Sequence, residues 1–230
     1  MDIDYSNYHR DSDYRKFEPM FRNIFLKRYY LIKRYVRSGP GKVLDIGCSN
    51  GVFLDLFGER GWETWGIEPS ESGDVAGKKG HKIIASFFEK VELSKNYYDL
   101  VIMNHTLEHM DNPSFVLKKI HTILKKGGTL FIDVPNAGGF GARLFGKYWP
   151  YRLPDEHKWQ FTKRTLSEIV GKSGFKILCW ESRSGIFEYA NPLLELKRKR
   201  FVIDILTAPY AVIATVLKMG DSMSIVGRKV

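Results

Sequence analysis

The stretch that decides the fold is Val43–Gly51, which has the sequence VLDIGCSNG. Its apolar first half is typical of a buried strand, and the spacing of apolar residues in Val52–Arg60 predicts a helix directly after it. Glycine is needed where the backbone turns sharply and lets a ligand approach closely. The start of the helix offers N–H groups to a polar or anionic ligand. The stretch therefore predicts a strand–turn–helix unit with a ligand at the turn.

Short apolar runs alternate with helical patterns through the rest of the chain. Strands are predicted at Trp62–Ile67, His81–Ala85, Tyr98–Met103, Thr129–Val134, Phe175–Glu181 and Ser222–Gly227, and helices at Phe17–Arg37, Pro113–Lys125 and Thr162–Lys172. Strands that alternate with helices favour parallel pairing through right-handed crossovers. We therefore expect an α/β fold with a doubly wound sheet. Its expected divisions are an N-terminal helical cap over 1–41 and a main domain over 42–230.

The composition limits the class of protein. The 230 residues are 43% hydrophobic and 27% charged, with a net charge of +10, so a globular domain with an anionic partner is favoured over a disordered chain. Two cysteines cannot form a disulfide framework, and the first residues do not resemble a signal peptide, so we expect a cytoplasmic protein. Ile205–Leu217 is uncharged but interrupted by Pro209, and it is too short to span a bilayer.

The glycine-rich turn also restricts the ligand. Dinucleotide-binding turns usually have the pattern G-x-G-x-x-G, and Ser49 stands where the second glycine would be. A pyrophosphate would be crowded there, which argues against NAD and FAD. Glu68 ends the second predicted strand, where an acid can accept both hydroxyls of a ribose. A ribose-bearing ligand without a pyrophosphate is required, and S-adenosylmethionine meets that requirement.

At these motifs the chain resembles the class I S-adenosylmethionine-dependent methyltransferases, in their small-molecule branch. The resemblance covers about Lys42 to Gly174 and rests on Asp45–Gly51, Gly66–Ser70, Tyr98–His109 and Leu124–Pro135, in that order. It implies a Rossmann-like sheet of seven strands in the order 3-2-1-4-5-7-6 with an antiparallel last strand. Residues 42–230 would then be the cofactor-binding domain, with an acceptor loop at 135–161 and a helical insertion at 188–220.

The resemblance also implies roles for individual residues. Those expected to bind S-adenosylmethionine, and its product S-adenosylhomocysteine, are Asp45, Gly47, Cys48, Gly51, Glu68, Ser86, Phe87, Asn104 and His105. Gly47 and Gly51 would shape the turn under the methionine part, and Glu68 would hold the ribose. Ser86 and Phe87 would lie beside the adenine. The reaction is then methyl transfer, in which the enzyme mainly positions two reactants and excludes water.

A hydroxyl acceptor requires a base to remove its proton, and histidine suits neutral pH. His157 in the acceptor loop is the leading candidate, and His105 is the second. We expect O-methylation of a sugar or another hydroxyl on a small molecule. Basic residues among the loop aromatics favour an anionic acceptor such as a nucleotide sugar, a glycan or a lipid-linked compound.

Two alternatives to this function remain open. An RNA methyltransferase would suit the charge of +10, but no RNA-binding module is visible and the sequence after Met103 lacks the signature of amino-methylating enzymes, so nucleic acid is not the expected partner. A chain that binds the cofactor without turnover, as a partner protein, is the other alternative.

The segment His105–His109 matches H-x-x-E-H, a zinc pattern of metallopeptidases. That chemistry requires both histidines on one sustained helix and a third ligand. Here the motif directly follows a buried strand, and Asp111–Pro113 would interrupt a helix. We therefore expect no metal site and a structural role for His109.

The segment 195–218 has a basic run, Lys197–Arg200, beside an apolar stretch that begins at Phe201. A basic run next to an apolar helix could rest on an anionic membrane face, as a peripheral contact. Burial against the sheet or in a homodimer interface is the alternative that the sequence alone favours.

Overall fold

One mixed sheet of seven strands organises the molecule in the computed structural model, which describes residues 17–36, 39–196 and 201–230. The strands are β1 (Lys42–Ile46), β2 (Glu63–Ile67), β3 (Lys82–Ile84), β4 (Tyr98–Asn104), β5 (Leu124–Pro135), β6 (Phe175–Arg183) and β7 (Ser222–Lys229). Their order is β3-β2-β1-β4-β5-β7-β6, with β7 antiparallel to both neighbours. The predicted strand order and the antiparallel last strand are confirmed.

Helices cover the two faces of this sheet. They are α1 (Glu18–Lys33), α2 (Val52–Gly58), α3 (Ser72–Lys78), α4 (Pro113–Ile123), α5 (Phe140–Phe145), α6 (Lys163–Lys172), α7 (Pro192–Leu196) and α8 (Phe201–Val216). Proline at the first position begins α4. Thr162 is the N-cap of α6, since its side chain accepts a hydrogen bond from the Thr165 amide.

Three segments differ from the predicted elements. Helix α3 was not predicted, because its seven residues include two glycines and carry a weak apolar pattern. Strand β5 begins at Leu124 rather than Thr129: Leu124 pairs with Tyr98, and an irregular register before Leu100 accommodates the two glycines between. The acceptor loop at 135–161 contains the short helix α5, so it is not irregular throughout.

The N-terminal helix packs on the face of the sheet that carries α2. Phe25 stacks on Phe53 with ring centroids 4.8 Å apart, and the Tyr29 ring meets the Phe57 edge at 5.1 Å. Asn23 on the same helix donates to the Asn191 carbonyl and to Glu195 of α7, both at 2.9 Å. Helix α1 therefore joins the segment at 188–220 to the main sheet.

The segment at 188–220 contains two helices, α7 and α8, before the last strand. Ala211 and Ala214 of α8 are buried, whereas large apolar side chains of the same helix are exposed. Burial against the sheet is therefore wrong for that outer face, and the other part of the prediction, a homodimer interface, stays a prediction. Among the described residues, no helix is long and apolar enough to cross a membrane.

Candidate active site

The glycine-rich turn lies at the carboxyl edge of the sheet, between β1 and α2. Gly47 and Gly51 have φ values of +78° and +79°, in the left-handed region that glycine adopts without strain. A Cβ at Gly47 would lie 2.7 Å from the Thr106 hydroxyl, which donates to the Ile46 carbonyl at 2.9 Å. A side chain at Gly47 would therefore clash with Thr106, and Thr106 ties the turn to the end of β4.

Two buried carboxylates flank the turn. Glu68 accepts hydrogen bonds from the amides of Ser49 at 2.9 Å and Ser70 at 3.0 Å, so its carboxylate is fixed at the end of β2. Asp45 is buried on β1, and its Oδ1 accepts no hydrogen bond from the described part of the chain. Burial, and secondarily the charge of Glu68, raises the pKa of Asp45 well above its usual range. An orphaned acceptor beside an open turn fits a ligand that brings hydrogen-bond donors.

The other predicted cofactor residues lie along the same edge. Cys48 is buried against Gly66 and Ile83, and burial raises the pKa of its thiol, so the side chain packs inside the sheet face. Ser86 and the exposed Phe87 follow the end of β3. Asn104 ends β4, and its side-chain oxygen accepts no hydrogen bond from the described residues. The structure therefore brings all these positions to one edge, at the ends of neighbouring strands.

His105 occupies a constrained position at the end of β4. Its φ is +52°, which is unusual for a residue with a side chain, and its amide donates to the Asp133 carbonyl at 2.8 Å. The ring lies between two carboxylates, with Nδ1 3.4 Å from Glu108 and Nε2 3.7 Å from Asp133. Burial would lower the pKa of His105, but Glu108 and then Asp133 outweigh it and raise the pKa.

A buried arginine compensates Asp133. Arg28 of α1 donates to Asp133 at 3.0 Å and pairs with Glu188 at 2.5 Å, and both Arg28 and Asp133 have 3% or less of their side chains exposed. Ser224 of β7 also donates to Asp133, at 2.7 Å. Burial opposes ionisation of Asp133, but the nearby cations, Arg28 first, lower its pKa. A charged network thus lies beneath the His105 ring.

The acceptor loop is held against the segment that follows β4. The Trp159 amide donates to the Glu108 carbonyl at 3.1 Å, and the His109 ring donates to the Glu156 carbonyl at 2.9 Å. His157 is buried and its Nδ1 donates to the Tyr151 carbonyl at 2.9 Å, while Nε2 lies 4.0 Å from Glu108. Glu108 therefore lies between the two histidines that the sequence nominated as bases.

Glu108, His109 and His157 also form a cluster that could hold a metal ion, because one ligand atom from each lies within 4.8 Å of the others. Bonds of about 2.0–2.2 Å to a zinc ion would require these side chains to draw together. The H-x-x-E-H motif itself forms a single 3-10 turn, Leu107–His109, and not the sustained helix of a metallopeptidase.

Three residues of the site were not nominated from the sequence. Asp133 is a charged residue inside an apolar strand pattern, and Arg28 stands on the apolar face of α1. Each position therefore indicates a buried charge. Glu108 appeared within the methyltransferase motif Tyr98–His109 and within the zinc pattern, but no role was assigned to it. A buried charge needs a buried partner, but the sequence does not reveal which residues pair.

The comparisons with known proteins agree with this geometry. The family model described as a methyltransferase domain matches residues 20–179, well over half of the chain. The chain belongs to the S-adenosylmethionine-dependent methyltransferases. It is therefore an enzyme of that family, its cofactor is S-adenosylmethionine, and the predicted family, activity and cofactor are confirmed.

Curated relatives of this methyltransferase include O-methyltransferases of ubiquinone biosynthesis. It is 28% identical over 145 residues to the mitochondrial enzyme of Mus musculus and 29% identical over 130 residues to that of Pseudomonas aeruginosa. These matches cover 54% and 53% of the chain, but only 39% and 55% of the relatives. The chain thus spans about half the length of the curated relatives that it matches.

Solved structures share the fold at low identity. A methyltransferase from Archaeoglobus fulgidus is 24% identical with a TM-score of 0.65, covering 94% of this chain and 99% of that one. Phosphoethanolamine N-methyltransferase 2 of Haemonchus contortus, crystallised with S-adenosylmethionine, is 18% identical with a TM-score of 0.73. That match covers 98% of this chain and 59% of the other. These likenesses establish the fold, and the acceptor is a separate question.

Proposed function

We propose that the enzyme methylates a hydroxyl group of a small-molecule acceptor, and that His105 removes the hydroxyl proton. The position of His105 carries the proposal. Its side chain is 23% exposed at the end of β4, next to the glycine-rich turn, whereas the His157 side chain is 1% exposed. A general base must come within hydrogen-bond reach of the proton that it takes, and a fully buried ring cannot do so without movement.

Glu108 and Asp133 support this role. Both carboxylates face the His105 ring, so the positive charge that the ring gains with the proton is stabilised from two sides. When bound, S-adenosylmethionine supplies an electrophilic methyl group on its sulfonium. We assign His157 as a positioning residue, because it holds the acceptor loop through Tyr151 and lies against Glu108.

For the acceptor we propose a sugar or similar polar ring, with an anionic group attached. Two exposed aromatic side chains of the acceptor loop, Tyr151 and Trp159, offer faces on which such rings pack. Exposed Arg152 stands beside Tyr151 and favours a phosphate or carboxylate. The named activity of the curated relatives, O-methylation, supports transfer to oxygen rather than nitrogen.

The test compares His105→Asn with His157→Asn after a screen of nucleotide sugars and phenolic acceptors identifies a substrate. His105→Asn should lower turnover by about 100-fold or more, since general-base catalysis contributes that much. Because His105 is also an expected cofactor residue, turnover is compared at saturating S-adenosylmethionine. His157→Asn should lower turnover less and raise KM. Near-normal turnover of His105→Asn, together with a large loss of turnover in His157→Asn, would show that His157 and not His105 is the base.

A further inference from the structure

Helix α8 has an unusual distribution of side chains. Its small residues, Ala211 and Ala214, face the protein and are fully buried, and the Gly185 turn lies against Ala211. Its large apolar residues face outward instead: Leu206 is 74% exposed and Val216 is 73% exposed. A surface helix normally buries its large apolar stripe and exposes polar residues. The outer face of α8 is therefore built to contact something apolar.

More exposed apolar side chains lie in the helices that α8 contacts. Helix α5 meets it through Phe140 and Tyr210, whose ring centroids are 5.8 Å apart, and α7 packs beside it. The exposed apolar residues of these three helices and their adjoining turns are Leu144, Phe145, Tyr148, Leu193, Leu194, Leu206, Val212, Ile213, Val216 and Leu217. We call this set the apolar face. Monomeric proteins rarely expose so many large apolar residues together unless they form a binding surface.

Basic residues accompany the apolar face. Arg143 and Lys147 lie in and beside α5, and Lys218 follows α8, all with exposed side chains. Between residues 189 and 218, the structure describes the side chain of one acidic residue, Glu195, and that side chain is buried. The face is thus apolar and positively charged, with no exposed acid among its described side chains.

We propose that the apolar face rests on an anionic lipid surface, so that the enzyme is a peripheral membrane protein. Helices that lie in the membrane interface combine an apolar face with flanking lysine and arginine, and anionic lipids attract those charges. A two-fold dimer through the same face would place like charges against each other, because a two-fold contact pairs a patch with itself. Charge complementarity therefore favours lipid over a second copy. The helix lies on the surface and does not span the bilayer.

The test is flotation of the full chain with phosphatidylcholine vesicles that contain or lack phosphatidylglycerol. The protein should float with the anionic vesicles, and added salt should weaken the binding by screening. The double variant Ile213→Ser/Val216→Ser should lower binding at least about tenfold, since each buried CH₂ contributes. Lys147→Gln and Lys218→Gln should each lower it about fivefold.

A matched control comes from α4, on another part of the molecule. Phe115 is 50% exposed and Lys118 is exposed there, so Phe115→Ser/Lys118→Gln removes the same types of side chain. This variant should float like the wild type, and all variants should still bind S-adenosylhomocysteine. The proposal is independent of the acceptor, because flotation requires no methyl transfer.

Three outcomes would overturn the proposal. The wild type could fail to float with anionic vesicles. The α4 control could lose as much binding as the variants of the apolar face. The protein would then bind anionic vesicles through its overall positive charge and not through one face. The wild type could fail to float and instead form a dimer, which light scattering would detect without vesicles. If Ile213→Ser/Val216→Ser dissociates that dimer, a second copy of the chain covers the face.

Discussion

The two halves of the carboxyl edge are built differently. The cofactor half uses the turn after β1 and the acid at the end of β2, so Asp45, Gly47, Gly51 and Glu68 all lie within a short length of chain. The acceptor half unites Arg28, His105, Asp133 and His157, which are far apart in sequence. The residues of the first half are close in sequence, and backbone geometry positions them. The residues of the second half are distant in sequence, and contacts between buried charged groups hold them together.

This difference assigns separate tasks to the two halves. A local turn of glycines can bind the same cofactor wherever a strand and a helix flank it, because the sites for the ligand are backbone groups. A buried charge network fixes the side chains that we propose to meet the acceptor, and each charge is costly unless its partner is present. Substitutions in the cofactor half should therefore lower the affinity for the cofactor, and substitutions in the acceptor half should lower the free energy of unfolding.

The largest effect should come from Arg28→Met. This change leaves Asp133 buried without its main counter-charge, and breaking a buried pair costs about 3–5 kcal/mol of unfolding free energy. The measurement is urea denaturation. Arg22→Met on the same helix is the matched control: Arg22 pairs with Glu59 at 2.6 Å, but both side chains are 40% or more exposed, so the loss should stay below about 1 kcal/mol.

A second variant tests the cause of that loss. Asp133→Asn in the Arg28→Met background removes the unpaired charge and should recover part of the lost stability. Equal losses for Arg28→Met and Arg22→Met would contradict a structural role for the buried pair, and the contrast between the two halves would then disappear.

The same contrast explains what could be predicted from the sequence. The strand order followed from alternating apolar runs together with the family resemblance, and Glu68 was located by its position at a strand end. The Arg28–Asp133 pair spans 105 residues, and its contact depends on how α1 packs across the sheet. For the exposed face of α8 only burial against the sheet was wrong: apolar residues predict burial, and the sequence does not say whether this chain, a second copy or a membrane covers them.

Glu68→Gln should have an intermediate effect, on ligand affinity. The resemblance implies that this carboxylate holds the ribose, and loss of its charge would weaken those hydrogen bonds, so the affinity for S-adenosylhomocysteine should fall at least about tenfold, or ~1.4 kcal/mol. Calorimetric titration measures this. Glu63→Gln at the opposite end of β2 should bind as the wild type does, because Glu63 contacts Lys82 away from the turn. An unchanged affinity in Glu68→Gln would remove Glu68 from the cofactor site.

The smallest effect concerns Asp55 of α2, behind the cofactor turn. Burial would raise its pKa, but hydrogen bonds from His81 at 2.9 Å and Lys79 at 3.0 Å outweigh it, and the pKa is lowered. A lowered folded-state pKa stabilises the fold above the unfolded value, near 4, and this stabilisation is lost as the pH falls through the folded-state pKa. The wild type should exceed Asp55→Asn in unfolding free energy by up to about 1 kcal/mol at pH 6.

That advantage of the wild type should shrink steadily between pH 5 and pH 3, about the range in which an aspartate titrates. Glu168→Gln on α6 provides the comparison, because Glu168 pairs with the exposed Lys172 one turn away and should contribute less. A difference between wild type and Asp55→Asn that does not depend on pH would mean that packing, and not charge, makes Asp55 stabilising. Charge would then not contribute to the stability of the cofactor half, which would come from the backbone and the apolar core.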